Sequence, residues 1–496
     1  MRRILQRVAD HARRRGTQTA LVDDRTELDY ATLQQAIVTV ADALDGKRVA
    51  LLLDNCCAWA VVDLALAQRE AVCVPIPLFF TDDQLLHLIG DADPDLVVSD
   101  QPARLQALTG RAAASQLEVA GRTLFLFRRS SRDASELPPD TCKITYTSGT
   151  TGQPKGVCLS GHAIAQVTLA LSHAADAGAT DRSLSLLPLS TLLENIGGVY
   201  APLLSGSRAA LPSLATCGFS GSSSVKPDLL IAALHRYAPT ATILVPQLLK
   251  LLVESVSAGA RLPGTLRFMA VGGAPCTAAL IGRARNLGFP VYEGYGLSEA
   301  ASVVSLNRPG GDRVGSVGRP LPHVRVRIAD DGEIMVAGEL FGGYLGSEPF
   351  TRIEWPTGDL GRFDADGYLH VVGRKKTAFA TAFGRNVAPE WVEGELTSSA
   401  AIMQAVVFGE GRASNVAVIV PHPAADRSLI DHAVAAANAR LPDYARVRAW
   451  CPAEAAFSAA NGLARGSGSL DREAIARHYT TALEALHAAH AHPVDL

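Results

Sequence analysis

Several features are scarce in this sequence, and each scarcity excludes a class of protein. Lysine and arginine number 46 against 49 aspartates and glutamates, so no excess of positive charge favours nucleic acid as a partner. The apolar runs at 49–53 and 72–80 are far shorter than the roughly 20 residues of a transmembrane helix and are typical of buried strands. The eight cysteines lack the paired spacing of a metal site, and residues 1–7 lack the apolar stretch of a secretory signal. We therefore expect a cytoplasmic protein with reduced thiols and no transmembrane segment.

The length and the apolar periodicity predict the fold class. At 496 residues the chain is too long for a single hydrophobic core, so we expect at least two domains. Helical spacing at 29–45 and 58–68 alternates with strand-like runs at 48–53 and 71–75, and the alternation resumes between 228 and 287. This pattern predicts an α/β fold.

Two other stretches differ in composition from the rest. Residues 215–224 are rich in glycine and serine, which predicts a flexible surface loop and not a domain boundary. After Gly315, strand-like runs are separated by Asp-Gly turns at 331–332 and 366–367, which predicts a β-rich region.

The most informative stretch is YTSGTTGQPKG, which runs from Tyr146 to Gly156. Its glycines let main-chain N–H groups turn toward an anion, its hydroxyls donate further hydrogen bonds, and Lys155 supplies a positive charge. The stretch therefore predicts a phosphate-binding loop. It is not a P-loop of the G-x-x-x-x-G-K-[ST] type, because Pro154 precedes the lysine and Gly156 follows it. A polar turn without a ligand is the alternative.

Together with three further motifs, this loop resembles the adenylate-forming enzymes, which include acyl-CoA synthetases, peptide-synthetase adenylation domains and beetle luciferases. YEGYGLSE at 292–299 resembles the adenine and metal segment of that family, PTGD at 356–359 its ribose-binding turn, and GRKK at 373–376 its hinge. The motifs follow the family's order over essentially the whole chain. The resemblance implies a large N-terminal domain of several sheets with a β-rich subdomain, residues 1–374, and a small mobile C-terminal α/β domain, residues 375–496.

The resemblance also implies a nucleotide site. Its ATP-binding residues would be Thr147, Ser148, Gly149, Thr150, Thr151, Gly152, Gly272, Gly273, Ala274, Pro275, Tyr295, Gly296, Asp359 and Arg374. Lys155 belongs to the loop that would hold the β- and γ-phosphates, Ser298 would donate to the α-phosphate, and Glu299 would hold Mg²⁺, which prefers carboxylate and phosphate oxygens. The ring of Tyr295 would lie on the adenine; a half-buried core aromatic is the alternative.

Asp359 and Arg374 are candidates for a shared task. The two carboxylate oxygens of Asp359 suit a ribose diol, and a predicted β-hairpin between the two residues would return Arg374 to the same ligand. In the family, the matching residues contact the nucleotide. Taken alone, an aspartate in a Thr-Gly-Asp sequence is usually a turn former.

One departure from the family concerns charge. The family's C-terminal domain normally carries a lysine that bridges the carboxylate and the α-phosphate, but this chain has Ser469 there and no lysine after Lys376. Loss of such a contact is expected to slow adenylation ~10²–10³-fold unless another cation replaces it. Arg465, on the same Gly/Ser-rich loop, is the candidate replacement; a solvated loop residue is the alternative.

The sequence indicates less about the sites for the acid and for the thiol. Residues 187–195 resemble the segment that closes the carboxylate pocket in fatty acyl-CoA synthetases, and Thr191 stands where a histidine is usual. The substrate-binding candidates are Thr191, Glu194, Gly294 and Gly384. Gly384 would approach the pantetheine thiol after the C-terminal domain rotates about the hinge residue Lys376, although Phe383 replaces a usual small residue. No aspartate near the pocket segments can be assigned to the amino group of an amino-acid substrate, which favours a fatty or aryl acid.

The sequence therefore predicts an acyl-CoA synthetase that uses ATP, Mg²⁺ and coenzyme A on a small carboxylic acid. Acyl transfer to a carrier-protein pantetheine or to an amine is a second hypothesis, because carrier proteins present the same thiol as coenzyme A. An adenylate-binding protein with little catalysis is a third, because of Ser469. The acid, its chain length and the oligomeric state stay open.

Overall fold

The computed structural model describes residues 1–128, 136–147, 154–220, 224–382, 385–465 and 469–489. Its helices are α1 (Arg2–Arg15), α2 (Tyr30–Ala43), α3 (Cys57–Gln68), α4 (Asp82–Ala92), α5 (Pro102–Thr109), α6 (Gly161–Ala174), α7 (Leu192–Glu194), α8 (Ala201–Ser205), α9 (Pro227–Tyr237), α10 (Pro246–Ser257), α11 (Ala278–Asn286), α12 (Pro389–Thr397), α13 (Arg427–Arg440), α14 (Arg472–His478) and α15 (Thr480–Ala489). A π-helix over Asn195–Tyr200 joins α7 to α8, and 3₁₀ turns cover Ser298–Ala300 and Asp443–Ala445.

The strands are β1 (Thr19–Val22), β2 (Glu27–Asp29), β3 (Arg48–Leu52), β4 (Val72–Pro75), β5 (Leu96–Ser99), β6 (Ser115–Val119), β7 (Arg122–Arg128), β8 (Thr141–Thr147), β9 (Lys155–Ser160), β10 (Arg182–Leu184), β11 (Arg208–Ala210), β12 (Phe219–Ser220), β13 (Ser224–Val225), β14 (Ala241–Leu244), β15 (Phe268–Val271), β16 (Val291–Leu297), β17 (Ser302–Leu306), β18 (Arg319–Pro320), β19 (Val324–Ile328), β20 (Glu333–Gly338), β21 (Gly343–Tyr344), β22 (Glu354–Phe363), β23 (Leu369–Arg374), β24 (Phe379–Ala380), β25 (Asn386–Val387), β26 (Ile402–Phe408), β27 (Asn415–Pro421) and β28 (Val447–Pro452).

Two large mixed sheets form the N-terminal part of the molecule. The first has the order β18-β17-β16-β15-β14-β10-β11-β1-β2, and the second has the order β21-β9-β8-β4-β3-β5-β7-β6. The central strands of the first sheet, from β16 to β11, run parallel, as do β5, β3, β4 and β8 in the second. The predicted alternation of helix and strand is confirmed, because parallel neighbours require crossover connections and helices supply them.

The predicted β-rich region after Gly315 is a four-stranded antiparallel sheet, β19-β20-β22-β23. The two predicted Asp-Gly turns connect its strands, and Gly332 and Gly367 there have φ values of +84° and +79°. Glycine adopts this left-handed region at little cost, which explains its place in both turns.

The sheet β26-β27-β28 and its helices form the smaller C-terminal domain, which has apolar clusters of its own. This domain contacts the larger one through the C-terminal end of α12. Lys250 Nζ in α10 donates to the main-chain oxygens of Thr397, at 3.1 Å, and Ile402, at 3.2 Å. A lysine charge favours the negative end of a helix dipole, so this contact stabilises the observed arrangement of the two domains.

The prediction of a flexible surface loop at 215–224 is wrong for residues 215–220 and 224, and residues 221–223 lie outside the described residues. Cys217 is wholly buried, and Phe219–Ser220 pairs with Ser224–Val225 in a short antiparallel ribbon. Cys217 and the partly buried Phe219 pack in an apolar cluster with β10 and β14. These two residues anchor a stretch whose average composition is polar.

A buried charged cluster, which we call the Lys143 cluster, connects a strand of the second large sheet to two helical segments. Lys143 Nζ in β8 donates to Asp63 Oδ1 at 2.7 Å, to Asn195 Oδ1 at 2.7 Å and to Tyr200 Oη at 2.9 Å. Tyr200 and Asn195 also donate to Asp63 Oδ2. The Lys143 and Asp63 side chains are 2% and 1% exposed, so the ion pair excludes water. The cluster joins β8, α3 and the π-helix in one polar network within an apolar core.

Candidate active site

The residues predicted for the ribose meet at one point in the structure. Asp359 in β22 pairs directly with Arg374 in β23, and Arg374 Nε lies 2.8 Å from Asp359 Oδ1. Tyr295 in β16 donates its hydroxyl to the other carboxylate oxygen at 2.6 Å. Asp359 is almost fully buried, and burial raises its pKa while the guanidinium of Arg374 opposes that shift. The hairpin predicted to return Arg374 to Asp359 is present.

The sequence at 356–359 forms a bulge in β22 and not the expected turn. Gly358 has a φ of +74°, and the pairing with β20 shifts register at this point. The Thr357 hydroxyl donates to the main-chain oxygen of Ile334 and accepts from the amide of Asp359. A bulge re-aims the residue that follows it, and here that residue is Asp359.

Tyr295, Gly296 and Ser298 lie at the end of β16 and in the 3₁₀ turn that follows it. The glycine is required by packing, because a Cβ on Gly296 would lie 1.7 Å from the main-chain oxygen of Ser302. The backbone of β17 therefore lies close against β16 at Gly296, and Ser298, two residues farther on, lies at the wall of a cavity that Tyr295 also lines.

Lys155 and Glu299 are brought together by a residue that sequence reasoning missed. Lys155 begins β9 and pairs with Thr147 in β8, so the two flank residues 148–153. Lys155 Nζ lies 5.5 Å from the ring centroid of Tyr344, and the Tyr344 hydroxyl donates to Glu299 Oε1 at 2.6 Å. Burial raises the pKa of Tyr344, and its hydrogen bond to Glu299 adds to the rise. Nothing in the sequence around Tyr344 distinguishes it from a core aromatic.

An apolar cavity of about 290 Å³, which we call the sheet cavity, extends inward from Ser298. It lies between the first large sheet and the layer formed by α6, the π-helix and α8. Among the predicted residues, Thr191, Gly272, Gly273 and Gly294 line it. The structure therefore joins the predicted acid segment to the predicted adenine segment in one continuous space.

Other predicted residues lie elsewhere. Ala274 and Pro275 are exposed after β15, and they do not line the sheet cavity. Ser148, Gly149, Thr150, Thr151, Gly152 and Gly384 lie outside the described residues.

Glu194, predicted to bind substrate, is fully buried behind the sheet cavity and does not line it. Within the described parts of the chain, neither carboxylate oxygen has a hydrogen-bond partner of normal geometry. Burial raises the pKa of Glu194 to about 8, although the nearby Ser185 hydroxyl and Leu187 amide partly offset the shift. A Cβ on Gly198 would lie 2.4 Å from both Glu194 Oε1 and Ser185 Oγ, so this glycine makes room for the carboxyl.

The predicted hinge residue Lys376 and the predicted catalytic residue Arg465 lie in two separate loops. Lys376 is exposed just after β23, beside Lys375, whose Nζ contacts Asp331 and Glu333 at 2.5 and 2.8 Å. Arg465 is partly exposed; its amide donates to the oxygen of Ser469, and its Nε lies 3.9 Å from Asp471 Oδ2. Neither Arg465 nor Ser469 lines the sheet cavity. The described helices include none that is both long and apolar enough to cross a membrane.

The large N-terminal domain of several sheets and the smaller C-terminal domain define the architecture of a two-domain protein with the sheet cavity in its larger domain. The chain belongs to the AMP-binding enzyme family: residues 8–345 match the model of the AMP-binding enzyme, and residues 378–491 match that of the AMP-binding enzyme C-terminal domain.

Individual proteins extend this comparison. The chain is 29% identical over 455 residues to the long-chain-fatty-acid–CoA ligase FadD15 of Mycobacterium bovis, covering 77% of this chain and 74% of that one. It is 29% identical over 442 residues to a feruloyl-CoA synthase of Amycolatopsis sp., covering 83% and 87%. The structure of the anthranilate CoA ligase AuaEII in complex with anthranoyl-AMP aligns with a TM-score of 0.81 at 18% identity, covering 97% and 98%. This last likeness shows that the protein has the adenylate-forming enzyme fold.

Proposed function

We propose that this protein uses ATP to activate a fatty or aryl acid as an acyl adenylate and then transfers the acyl group to the thiol of coenzyme A. The observation that carries the proposal is the continuity of the sheet cavity with Ser298. An acid bound in that cavity would present its carboxylate beside the residue proposed to contact the α-phosphate. Relatives named as CoA ligases for a long-chain fatty acid and for ferulate support the same chemistry.

In the first step, a carboxylate oxygen would attack the α-phosphorus of ATP, a new P–O bond would form, and pyrophosphate would leave. We assign this step to the nucleotide end of the site, defined by Lys155, Tyr295, Ser298, Glu299 and Asp359. Lys155, with Thr147 and residues 148–152, would hold the departing phosphates, and Ser298 would donate to the α-phosphate. Asp359 and Arg374 would hold the ribose, and Tyr295 with the main chain of Gly272–Pro275 would contact the adenine.

Mg²⁺ fits this arrangement. Glu299 is a half-buried carboxylate that Tyr344 orients and that lies near the same ring as Lys155. Carboxylate oxygens are the ligands that Mg²⁺ prefers, and a bound ion would neutralise charge on the phosphates. Glu299 would be its protein ligand.

In the second step, the thiol sulfur would attack the acyl carbon, form the thioester and release AMP. We propose that residues 375–496 move as a unit against residues 1–374, with Lys376 as the pivot and Gly384 at the thiol path. Coenzyme A is favoured over a carrier-protein thiol because the relatives are named for it. The buried, unpaired cysteines among the described residues support a cytoplasmic setting for this chemistry.

The test is a panel of fatty and aryl acids with ATP and Mg²⁺, with pyrophosphate release measured first and thioester formation measured after coenzyme A is added. We expect pyrophosphate release that requires both an acid and Mg²⁺, followed by thioester. ATP binding by calorimetry, without any turnover on the panel, would instead favour an adenylate-binding protein. Replacing coenzyme A by a pantetheine-bearing carrier protein as the thiol tests the other acceptor.

A further inference from the structure

The sheet cavity is long, and it runs along the strands from their C-terminal ends to their N-terminal ends. At one end it is lined by Gly272 and Gly294, beside Ser298. At the other end it is lined by Arg267 and Asp181, which precede β15 and β10. At ~3.3 Å per strand residue, the path from Arg267 to Gly272 covers ~16 Å, about the length of a dozen methylene groups in an extended chain.

Small side chains at the centre of the sheet make this space. In β15, Met269 does not line the cavity and is 0% exposed, whereas the neighbouring Ala270 lines it and is only half-buried. Ala241 in β14 is half-buried in the same way and also lines the cavity. Alternate residues of a strand face opposite sides of a sheet, so the two alanines share the cavity face with the larger Phe268 and Ile243, and each alanine leaves space beside its bulkier partner.

The two alanines lie at different depths. Ala270 pairs with Ile243, and Ala241 pairs with Phe268, two residues farther from Ser298. A larger side chain at either position would therefore block the cavity at a different distance from the reacting carboxylate.

An ion pair lines the far end of the cavity, where the Arg267 and Asp181 side chains are 35% and 12% exposed. Arg267 Nε and Nη2 lie 2.7 and 2.5 Å from the two oxygens of Asp181, and Nη1 donates to the main-chain oxygen of Ala175 at 2.7 Å. Nη2 also donates to the main-chain oxygen of Asp176. A guanidinium held by this many acceptors is fixed in place, so it forms a rigid polar end to an apolar cavity.

We propose that the acid substrate is an unbranched alkyl acid that lies extended along β15, and that the Arg267–Asp181 pair sets its greatest length at about a dozen carbons. The inference rests on the proposed function. A compact aryl acid would leave the far half of the cavity unfilled, whereas each methylene added to an alkyl chain removes more apolar surface from water. The expected gain in kcat/KM is about fourfold per methylene until the chain reaches the ion pair.

The test uses saturated acids from butanoate to hexadecanoate, with benzoate and cinnamate as aryl acids, on three variants. Ala241→Leu and Ala270→Leu block the cavity at the two depths, and Ala435→Leu, exposed on α13, is the matched control. We expect Ala435→Leu to keep the profile of the unaltered protein and both other variants to keep short acids but lose long ones. The limit for Ala270→Leu should be about five methylenes shorter than that for Ala241→Leu, since two strand residues span ~6.6 Å.

A further variant addresses the ion pair. Arg267→Met combined with Asp181→Asn removes both charges together, so neither is left buried without its partner. We expect this double variant to accept acids longer than the limit of the unaltered protein. An unchanged limit would overturn the assignment of the pair as the end of the cavity.

The outcomes separate this inference from the proposed function. Turnover of benzoate or cinnamate above every alkyl acid, or equal losses for short and long acids in both blocked variants, overturns the inference and leaves the ligase activity standing. Thermal stabilisation of the protein by each acid is measured as well. Stabilisation that follows the same length rule without turnover overturns the proposed function alone. If Ala270→Leu does not fold, Ala270→Val should shorten the limit by a smaller amount.

Discussion

The nucleotide end and the sheet cavity are built in opposite ways. At the nucleotide end, polar side chains hold one another in place: Tyr295 and Arg374 both contact Asp359, and Tyr344 contacts Glu299. The sheet cavity is lined by apolar side chains, and the small Ala241 and Ala270 leave space among the larger ones. A polar contact requires a particular functional group, whereas a space requires only that a group be small. We therefore expect substitutions at the nucleotide end to change rate and those in the cavity to change which acid reacts.

The sharpest test of this division is Asp359→Ala. It removes the proposed ribose ligand and leaves Arg374 and Tyr295 without their shared partner, so we expect kcat/KM for ATP to fall ~10²–10³-fold. The acid chain-length profile should stay the same. Steady-state kinetics with varied ATP and varied acid measure both, and a shifted acid profile would show that the two ends are not independent.

The loop that carries Arg465 and Ser469 is expected to have the next largest effect. If the family's lysine contact is missing, Ser469→Lys should accelerate pyrophosphate release by ~10- to 100-fold, and Arg465→Ala should slow it ~10-fold if arginine has taken over the role. Single-turnover measurements of adenylation and of thioester formation from supplied acyl-AMP separate the steps. A fast adenylation step that neither variant changes would show that another group supplies the charge.

A smaller effect is expected at the proposed pivot. Lys376→Pro fixes φ at this position and should slow thioester formation ~10-fold while largely sparing adenylation, because only the second step requires the rotation. Lys375→Pro serves as the neighbouring comparison. Equal loss in both half-reactions of Lys376→Pro would identify this residue as a packing position.

The smallest effect on turnover is expected for Glu194→Gln, because Glu194 lies behind the cavity and not in it. We expect this substitution to change the pH dependence of the free energy of unfolding. Burial raises the folded-state pKa from 4.5 to about 8, so the stability that this carboxyl contributes in its neutral form is complete below pH 4.5 and is lost as the pH rises toward 8. Between pH 5 and pH 8, the free energy of unfolding should fall by as much as ~4 kcal/mol more in the unaltered protein than in the variant. Urea unfolding across this range measures the difference, and parallel curves would contradict it.

The difference between polar contacts and an unfilled space also explains which features of the site could be predicted from the sequence. Asp359 and Arg374 were paired correctly because one hairpin joins them, and a hairpin can be recognised from its Asp-Gly turn. Ala241 and Ala270 were not recognised, because a space between strands depends on every side chain around it and no single residue marks it. Glu194 was expected to contact substrate because its segment resembles a pocket segment, but the direction of a side chain depends on the π-helix that follows it.

The Lys143 cluster bears on how this protein can be recombined with its relatives. Its members come from three separate stretches of chain, and one of those stretches is the π-helix beside the sheet cavity. A chimera that imports only the segment around Asn195 and Tyr200 would leave the buried Lys143–Asp63 ion pair without the hydrogen bonds of those two residues. A buried polar group left unsatisfied typically costs ~1–3 kcal/mol. The π-helix wall of the cavity is therefore best exchanged between such enzymes together with residues 63 and 143, so that the four side chains are inherited as one unit.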